Sequence, residues 1–149
     1  MNSTISGAGW CAPPAETIAG ALRVAAADGR TWLTFQRGDS ALALAFPEAL
    51  SLARRWCTAL AAAGVRPGDR VAVIEPNGPD FVGAFFGAHL AGATPVPLAW
   101  PVVAAAGERN HALLAAQVAW ADVAAVATQP DFAAAAAFGR PVVTAAADS

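Results

Sequence analysis

Lysine and tyrosine are absent from this chain, and only 13% of its residues are charged. The nine basic residues are all arginine, they form no dense cluster, and the formal net charge is −2. Binding to nucleic acid through its phosphates needs a concentrated basic surface. The composition therefore predicts no nucleic-acid partner.

Cysteine is scarce as well, because Cys11 and Cys57 stand alone without metal-ligand spacing. The first ten residues have neither a basic segment nor an apolar core, so no secretory signal is expected. No unbroken apolar run reaches the roughly 18 residues of a membrane-spanning helix. These observations predict a cytoplasmic protein with free thiols and no membrane span.

Hydrophobic residues make up 56% of the 149 residues, although much of this fraction is alanine. This length is typical of one domain with enough core to fold. Residues 1–14 are small, polar and rich in breakers, and we expect an irregular leader there. Residues 15–149 are predicted to form the folded α/β part.

The clearest structural signal lies in residues 65–100. Pro67 and Gly68 suit adjacent positions of a turn, and residues 71–74 form an apolar run typical of a strand covered on both faces. Pro79 can occupy the first turn of a helix, which Gly92 is placed to end. Residues 94–98 resume an extended pattern. The segment therefore predicts a β-α-β unit with a buried helix.

Hydrophobic periodicity and Gly/Pro breaks predict the remaining elements. Helices are expected at 16–28, 47–63, 108–120 and 132–137, and strands at 31–35, 41–46, 123–127 and 142–144. Strands that alternate with helices imply parallel pairing. The fold class is thus α/β, a mostly parallel sheet with flanking helices and an N-terminal β-hairpin. Pro95 and Pro97 remove two backbone donors from a strand that the β-α-β pattern would place in the interior, which favours either an edge position or only partial pairing.

Motifs that carry chemistry are few. The sequence has no phosphate loop, metal cluster or nucleophile elbow. His89 lies in a buried helix, where a core histidine is the simpler interpretation, and a solvated helix face explains His111. We therefore assign no catalytic, cofactor-binding or metal-binding residue.

Four residues remain as candidates for a substrate pocket. Glu75, Asn77 and Gly78 follow the carboxyl end of a predicted strand, where open α/β sheets bind ligands, although a structural turn also explains them. Trp100 follows the next strand and either lines a pocket or covers part of the core.

Residues 59–98 carry several short runs in a recognisable order. They are Leu60, Gly64-Val65, Pro67-Gly68-Asp69-Arg70-Val71, Pro76-Asn77, Phe81, Phe85, Gly87, Ala91-Gly92-Ala93 and Pro95-Val96-Pro97-Leu98. This pattern resembles the N-terminal part of adenylate-forming (AMP-binding) acyl ligases, and most closely that of fatty acyl-AMP ligases and long-chain acyl-CoA synthetases. Upstream, residues 44–48 are similar to the family's Leu-Thr-Tyr-x-Glu-Leu entry into its first long helix, with Ala45 and Phe46 replacing the hydroxyl residue and tyrosine.

The resemblance implies an incomplete N-terminal subdomain of that ligase fold. The complete enzyme would use ATP and magnesium to convert a fatty or other carboxylic acid to an acyl-adenylate. It would then transfer the acyl group to an acyl-carrier-protein thiol or to coenzyme A. The family's Gly- and Thr-rich phosphate loop, its ribose-binding aspartate and its C-terminal lysine have no counterpart here. We therefore expect this chain alone to bind no cofactor and to be inactive.

Two other interpretations stay open. In the first, the chain is a stand-alone α/β binding module without catalysis, and in the second it is a flavodoxin-like nucleotide binder. Because no predicted helix follows residues 142–144, an unfinished sheet edge is expected to favour self-association.

Overall fold

The computed structural model describes residues 15–101, 107–135 and 138–144. The predicted leader at 1–14 and the last two residues of the helix predicted at 132–137 lie outside these ranges. The elements follow one another in this order: α1 (Ile18–Ala25), β1 (Thr31–Arg37), β2 (Ser40–Ala45), α2 (Phe46–Ala62), β3 (Arg70–Ile74), α3 (Pro79–Leu90), β4 (Thr94–Pro97), α4 (Gly107–Ala121), β5 (Ala125–Thr128), α5 (Pro130–Ala135) and β6 (Val142–Val143).

The strands form two sheets. β1 and β2 pair antiparallel as a hairpin, and the other four strands form a parallel sheet in the order β4-β3-β5-β6. Helices α2 and α3 contribute to the core on one face, whereas α4 contributes to the core on the other. The predicted α/β class, with its parallel sheet and N-terminal hairpin, is confirmed.

Strand β3 lies at the centre of the parallel sheet. Residues Val71 to Ile74 have no exposed surface, in agreement with the unbroken apolar run. Val71 and Val73 belong to the core with Trp56 of α2, whereas Ala72 and Ile74 pack with α4 on the opposite face. The alternation of a strand therefore divides one short run between two cores.

Strand β4 lies at the edge of the sheet, as its two prolines predict. Thr94 N–H donates to Asp69 O at 2.8 Å, and Leu98 N–H donates to Val73 O at 3.0 Å. Pro95 and Pro97 occupy the alternate positions, at which a parallel strand turns its N–H away from this neighbour. The prolines thus remove donors that the pairing with β3 does not use.

Helix α2 is confirmed within one residue at each end. Its helical periodicity predicts an apolar stripe of Leu50, Ala53, Cys57, Leu60 and Ala61, and this prediction was partly wrong. Trp56 is buried, whereas Cys57 is only half-buried and Ala61 is exposed. The buried face follows Ala49, Ala53, Trp56 and Leu60, which are spaced by four, three and four residues. Its position is set by the packing of α2 against α3, which the pattern of α2 alone does not reveal.

The entry into α2 retains half of a capping box. Glu48 accepts a hydrogen bond from the Ala45 N–H at 2.8 Å. Ala45 has no side-chain hydroxyl, so it cannot accept the reciprocal hydrogen bond from the Glu48 N–H. In α1, Thr17 supplies a complete cap through its Oγ1, which accepts from Gly20 N–H at 2.9 Å.

Gly83 and Gly87 allow α3 to lie directly against Trp56. A Cβ added at Gly87 would lie 2.5 Å from Trp56 Cβ and 2.9 Å from Ala53 O, and one added at Gly83 would lie 2.8 Å from Trp56 Cδ1. These distances are below any van der Waals contact, so the two helices approach each other only because both positions lack a side chain.

We predict that Gly87→Ala lowers the free energy of unfolding by about 1–3 kcal/mol, because the added methyl group forces α2 and α3 apart. Urea unfolding followed by tryptophan fluorescence measures the change. Gly29→Ala is the matched control, since a Cβ at Gly29 meets nothing within 4 Å. Equal stability of the two variants would contradict this packing.

Large exposed apolar side chains occur on α1, β2 and α4 in the described residues, with Trp120 90% exposed. At the β6 edge, Val143 is buried and Val142 is half-buried. Self-association through that edge stays a prediction. Among the described residues, no helix combines the length and apolarity that a membrane crossing requires.

Candidate functional site

The candidate site lies at the carboxyl edge of the parallel sheet. Strands β3, β4 and β5 run in the same direction, so the segments that follow them emerge at the same edge. The chain passes from β3 to β4 on one side and then crosses to β5 on the other, which places a topological switch point between β3 and β5. Across this point Thr128 Oγ1 donates to Ile74 O at 2.7 Å, fully buried.

A cavity of about 520 Å³ opens at this edge and brings together Glu75, Asn77 and Trp100. The other wall residues are Arg37, Pro76 and Phe81. Three of the four predicted pocket residues therefore line one cavity. That they contact a substrate stays a prediction.

Gly78 lies in the wall of a neighbouring cavity of about 430 Å³, between the β1–β2 hairpin and the start of α3. The two cavities share Arg37, Pro76 and Asn77. Both cavities therefore border the turn after β3, one on the side of the hairpin and the other on the side of Trp100.

The aromatic walls of the larger cavity are supported from behind. The Trp100 ring lies 5.0 Å from the Phe132 ring of α5, and Phe132 in turn contacts Phe138 at 6.2 Å. On the other wall, Phe81 stacks on Phe85 at 6.2 Å and packs against the core beneath α3. Both aromatic walls are therefore packed against further rings.

Glu75 is the unusual residue of the site. It is 4% exposed, and neither of its carboxyl oxygens has a hydrogen-bond partner in the described residues. Burial, and to a lesser extent the negative charge of Asp80, raise the pKa of Glu75 from 4.5 to about 7. A buried polar group without a partner costs about 1–3 kcal/mol, so this carboxyl group weakens the fold where it lies.

We predict that Glu75 makes stability depend on pH. Below pH 4.5 the carboxyl group is protonated in the folded and unfolded states. As the pH rises toward 7, the unfolded chain loses the proton that the folded chain retains. The free energy of unfolding should therefore fall through this window, by about 3 kcal/mol in total.

Urea unfolding at several pH values tests this expectation, with Glu75→Gln as the variant that removes the titration. The variant should lose the decline between pH 4.5 and 7, and Glu16→Gln, at an exposed glutamate, should retain it. A decline of the same size in Glu75→Gln would show that another group causes it.

Sequence reasoning missed Arg37 and Phe81 as wall residues. Arg37 is the last residue of β1, and it lines the cavity because the hairpin lies beside the turn after β3. No local pattern contains that placement. Phe81 lies in the first turn of α3, and its position soon after the carboxyl end of β3 could have indicated a wall residue.

The two histidines lie outside both cavities. His89 is half-buried against the Phe85 ring at 5.0 Å, and burial lowers its pKa. The expected solvated face for His111 was wrong, because its half-buried ring packs on Phe132 at 5.4 Å. Within the described ranges, no group of three or more His, Cys, Asp or Glu residues could hold a metal ion.

Known structures share this arrangement. A fatty acid AMP ligase from Legionella pneumophila superimposes with a TM-score of 0.75 and 21% identity over 88% of this chain and 23% of its own. A fatty acyl-adenylate ligase from a study of the Escherichia coli and L. pneumophila enzymes gives a TM-score of 0.73 and 26% identity over 89% of this chain and 25% of its own. The fold is therefore that of the N-terminal part of an adenylate-forming ligase.

Sequence comparison assigns the family. The family described as AMP-binding enzyme matches residues 23–141, and the chain belongs to this family. A feruloyl-CoA synthase from an Amycolatopsis species is 42% identical over 71 residues, which are 48% of this chain and 14% of that protein. The chain thus spans about a seventh of the length of this relative and about a quarter of the structural neighbours. The resemblance inferred from residues 59–98 is confirmed.

Proposed function

We propose that this chain is the N-terminal portion of an ATP-dependent acyl-activating enzyme, in which it supplies scaffold and part of the acyl pocket. The observation that carries the proposal is the family match over residues 23–141. Support also comes from the cavity at the carboxyl edge of the sheet, where this class of fold binds ligands.

In the proposed reaction, a carboxylate oxygen of the acid attacks the α-phosphorus of ATP, and pyrophosphate leaves with the electrons of the broken P–O bond. The acyl-adenylate then reacts with a thiol of coenzyme A or of an acyl-carrier protein, and AMP leaves. Magnesium and a phosphate loop would stabilise the charge on the phosphates. This chain has no such loop, so its own contribution is to hold the acid.

The cavity residues would act on the acyl group. Phe81 and Trp100 offer apolar contact, and Asn77, at the rim, offers an amide for a polar substituent. A fatty acid is the acid class that the names of the structural neighbours suggest, whereas the feruloyl-CoA synthases suggest an aromatic acid. Both classes are carboxylic acids with a large apolar portion.

The first expected result concerns the 149-residue chain alone. It should show no acid-dependent exchange of labelled pyrophosphate into ATP, because the groups that bind the phosphates are missing from its sequence. Exchange above a no-acid control would overturn the division of roles proposed here.

The second expected result concerns the protein encoded by the reading frame that contains this chain together with its flanking sequence. This protein should catalyse an exchange of labelled pyrophosphate into ATP that requires both an acid and magnesium. Trp100→Ala should raise the KM for the acid roughly tenfold, equivalent to about 1.4 kcal/mol of binding. Trp120→Ala is the matched control, because Trp120 lies outside the cavity wall. Absence of exchange with fatty and aromatic acids alike would favour the stand-alone binding module.

A further inference from the structure

The outer face of α4 is apolar although it is open to solvent. It consists of Ala112, Leu113, Ala116, Ala119 and Trp120, all of which are exposed. Leu113 is 59% exposed and Trp120 is 90% exposed. The opposite face of the same helix supplies Leu114 and Val118 to the core. Core packing therefore explains one apolar face of α4 and leaves the outer face unexplained.

The other large apolar side chains that are exposed in the described residues do not form such a face. Ile18 and Val24 of α1 are six residues apart, which places them about 120° apart around the helix. Leu42 is the one such side chain in the described part of β2. By contrast, Leu113 and Trp120 are seven residues apart and lie on one side of α4, about 10 Å from each other along its axis. Isolated exposed side chains are ordinary, whereas a continuous apolar stripe indicates an interaction surface.

The charge of this part of the chain favours a second copy as the partner. Residues 110–121 contain no Asp, Glu, Lys or Arg, so the outer face of α4 has no charge with which to select a charged partner. Around a twofold axis a residue near the axis meets its own copy, and a charged residue there would be repelled. The face avoids this repulsion, and the net charge of −2 adds little repulsion between whole chains.

The spacing of the large side chains on this face is self-complementary. When two α4 helices pack antiparallel across a twofold axis beside Ala116, Leu113 of each copy lies at the level of Trp120 of the other. The two contacts are then equivalent, and the small Ala116 between them lets the helices approach closely. A different partner would need its own pair of apolar side chains two turns apart, whereas a second copy supplies this pair.

We infer that two copies of this chain associate through the outer faces of their α4 helices, packed antiparallel, with Trp120 of each copy on Leu113 of the other. This interface differs from the edge at β6, where Val143 is already buried. No residue of the outer face of α4 lines either cavity at the carboxyl edge of the sheet, so the association leaves both cavities open.

The size of the face determines how strong the association should be. A tryptophan alone contributes about 200 Å² of buried area. Burial of the whole face removes on the order of 500 Å² from each copy, or about 1,000 Å² in total, which is the lower limit for a specific interface. We therefore expect a weak dimer with a dissociation constant in the micromolar to millimolar range.

Sedimentation equilibrium of the 149-residue chain over micromolar to millimolar concentrations measures the association. The average mass should rise from 15.0 kDa toward twice that value as the concentration increases. Trp120→Arg and Leu113→Glu should each raise the dissociation constant at least about tenfold, because a charge replaces an apolar contact. Both side chains are exposed, so both variants should fold, which circular dichroism checks.

An equimolar mixture of these two variants tests the antiparallel arrangement. In a mixed dimer, the glutamate introduced at position 113 meets the arginine introduced at position 120, and the second contact is that of the wild type. The mixture should therefore associate at least about threefold more tightly than either variant alone. Val24→Glu and Leu42→Arg are the matched controls, since they place the same charges at exposed apolar positions outside α4. The controls should associate as the wild type does and gain nothing on mixing.

Three results with the 149-residue chain would overturn the inference. They are a monomer over the whole concentration range, association that Trp120→Arg leaves unchanged, and no gain in affinity on mixing the two α4 variants. The second result would assign the association to another surface, such as the edge at β6. A further contradiction would come from the protein encoded by the longer reading frame. If Leu113→Glu lowers its stability without changing its mass in solution, the outer face of α4 packs within one polypeptide.

Discussion

The burial of strand β3 is the constraint on which the rest of the structure depends. It pairs with β4 on one side and β5 on the other, and residues Val71 to Ile74 are inaccessible to solvent. A strand in this position needs helices on both of its faces, so α2 and α3 cover one and α4 the other. Because its neighbours are parallel, whatever follows β3 must emerge beside Trp100 and Gln129 at one edge of the sheet.

The fold was largely predictable because its signals are local. Gly64, Gly68 and Gly92 all adopt positive φ, as their placement at turns and helix ends indicated. Pro95 and Pro97 correctly indicated an edge strand. The face of α2 was harder, because alanine contributes little to a hydrophobic pattern and the buried face depends on glycines in another helix.

The candidate site was predictable only in part. Glu75 and Asn77 were predicted because they follow the carboxyl end of a strand. Trp100 lies beside them because β3 and β4 are parallel and end at the same edge of the sheet. The participation of Arg37 depends on how the hairpin lies against the sheet, a relation between segments some forty residues apart. The raised pKa of Glu75 could not be predicted either, because a sequence does not show that a carboxyl group will be buried without a partner.

The buried, unpaired carboxyl group of Glu75 lowers the stability of the fold, and a purely structural turn does not require such a group. An asparagine or serine at position 75 would continue the turn with a smaller desolvation cost. A group that destabilises the fold at a ligand-binding edge is more readily explained by what it binds. The chain belongs to the AMP-binding family, and this edge of the sheet is where open α/β folds bind ligands.

The most direct measurement is the titration of the Glu75 carboxyl carbon by NMR in the chain without ligand. A buried, unpaired carboxyl group at the carboxyl edge of β3 should give a midpoint near pH 7. A midpoint near 4.5, the ordinary value for glutamate, would show that Glu75 is solvated or paired and would contradict its burial without a partner.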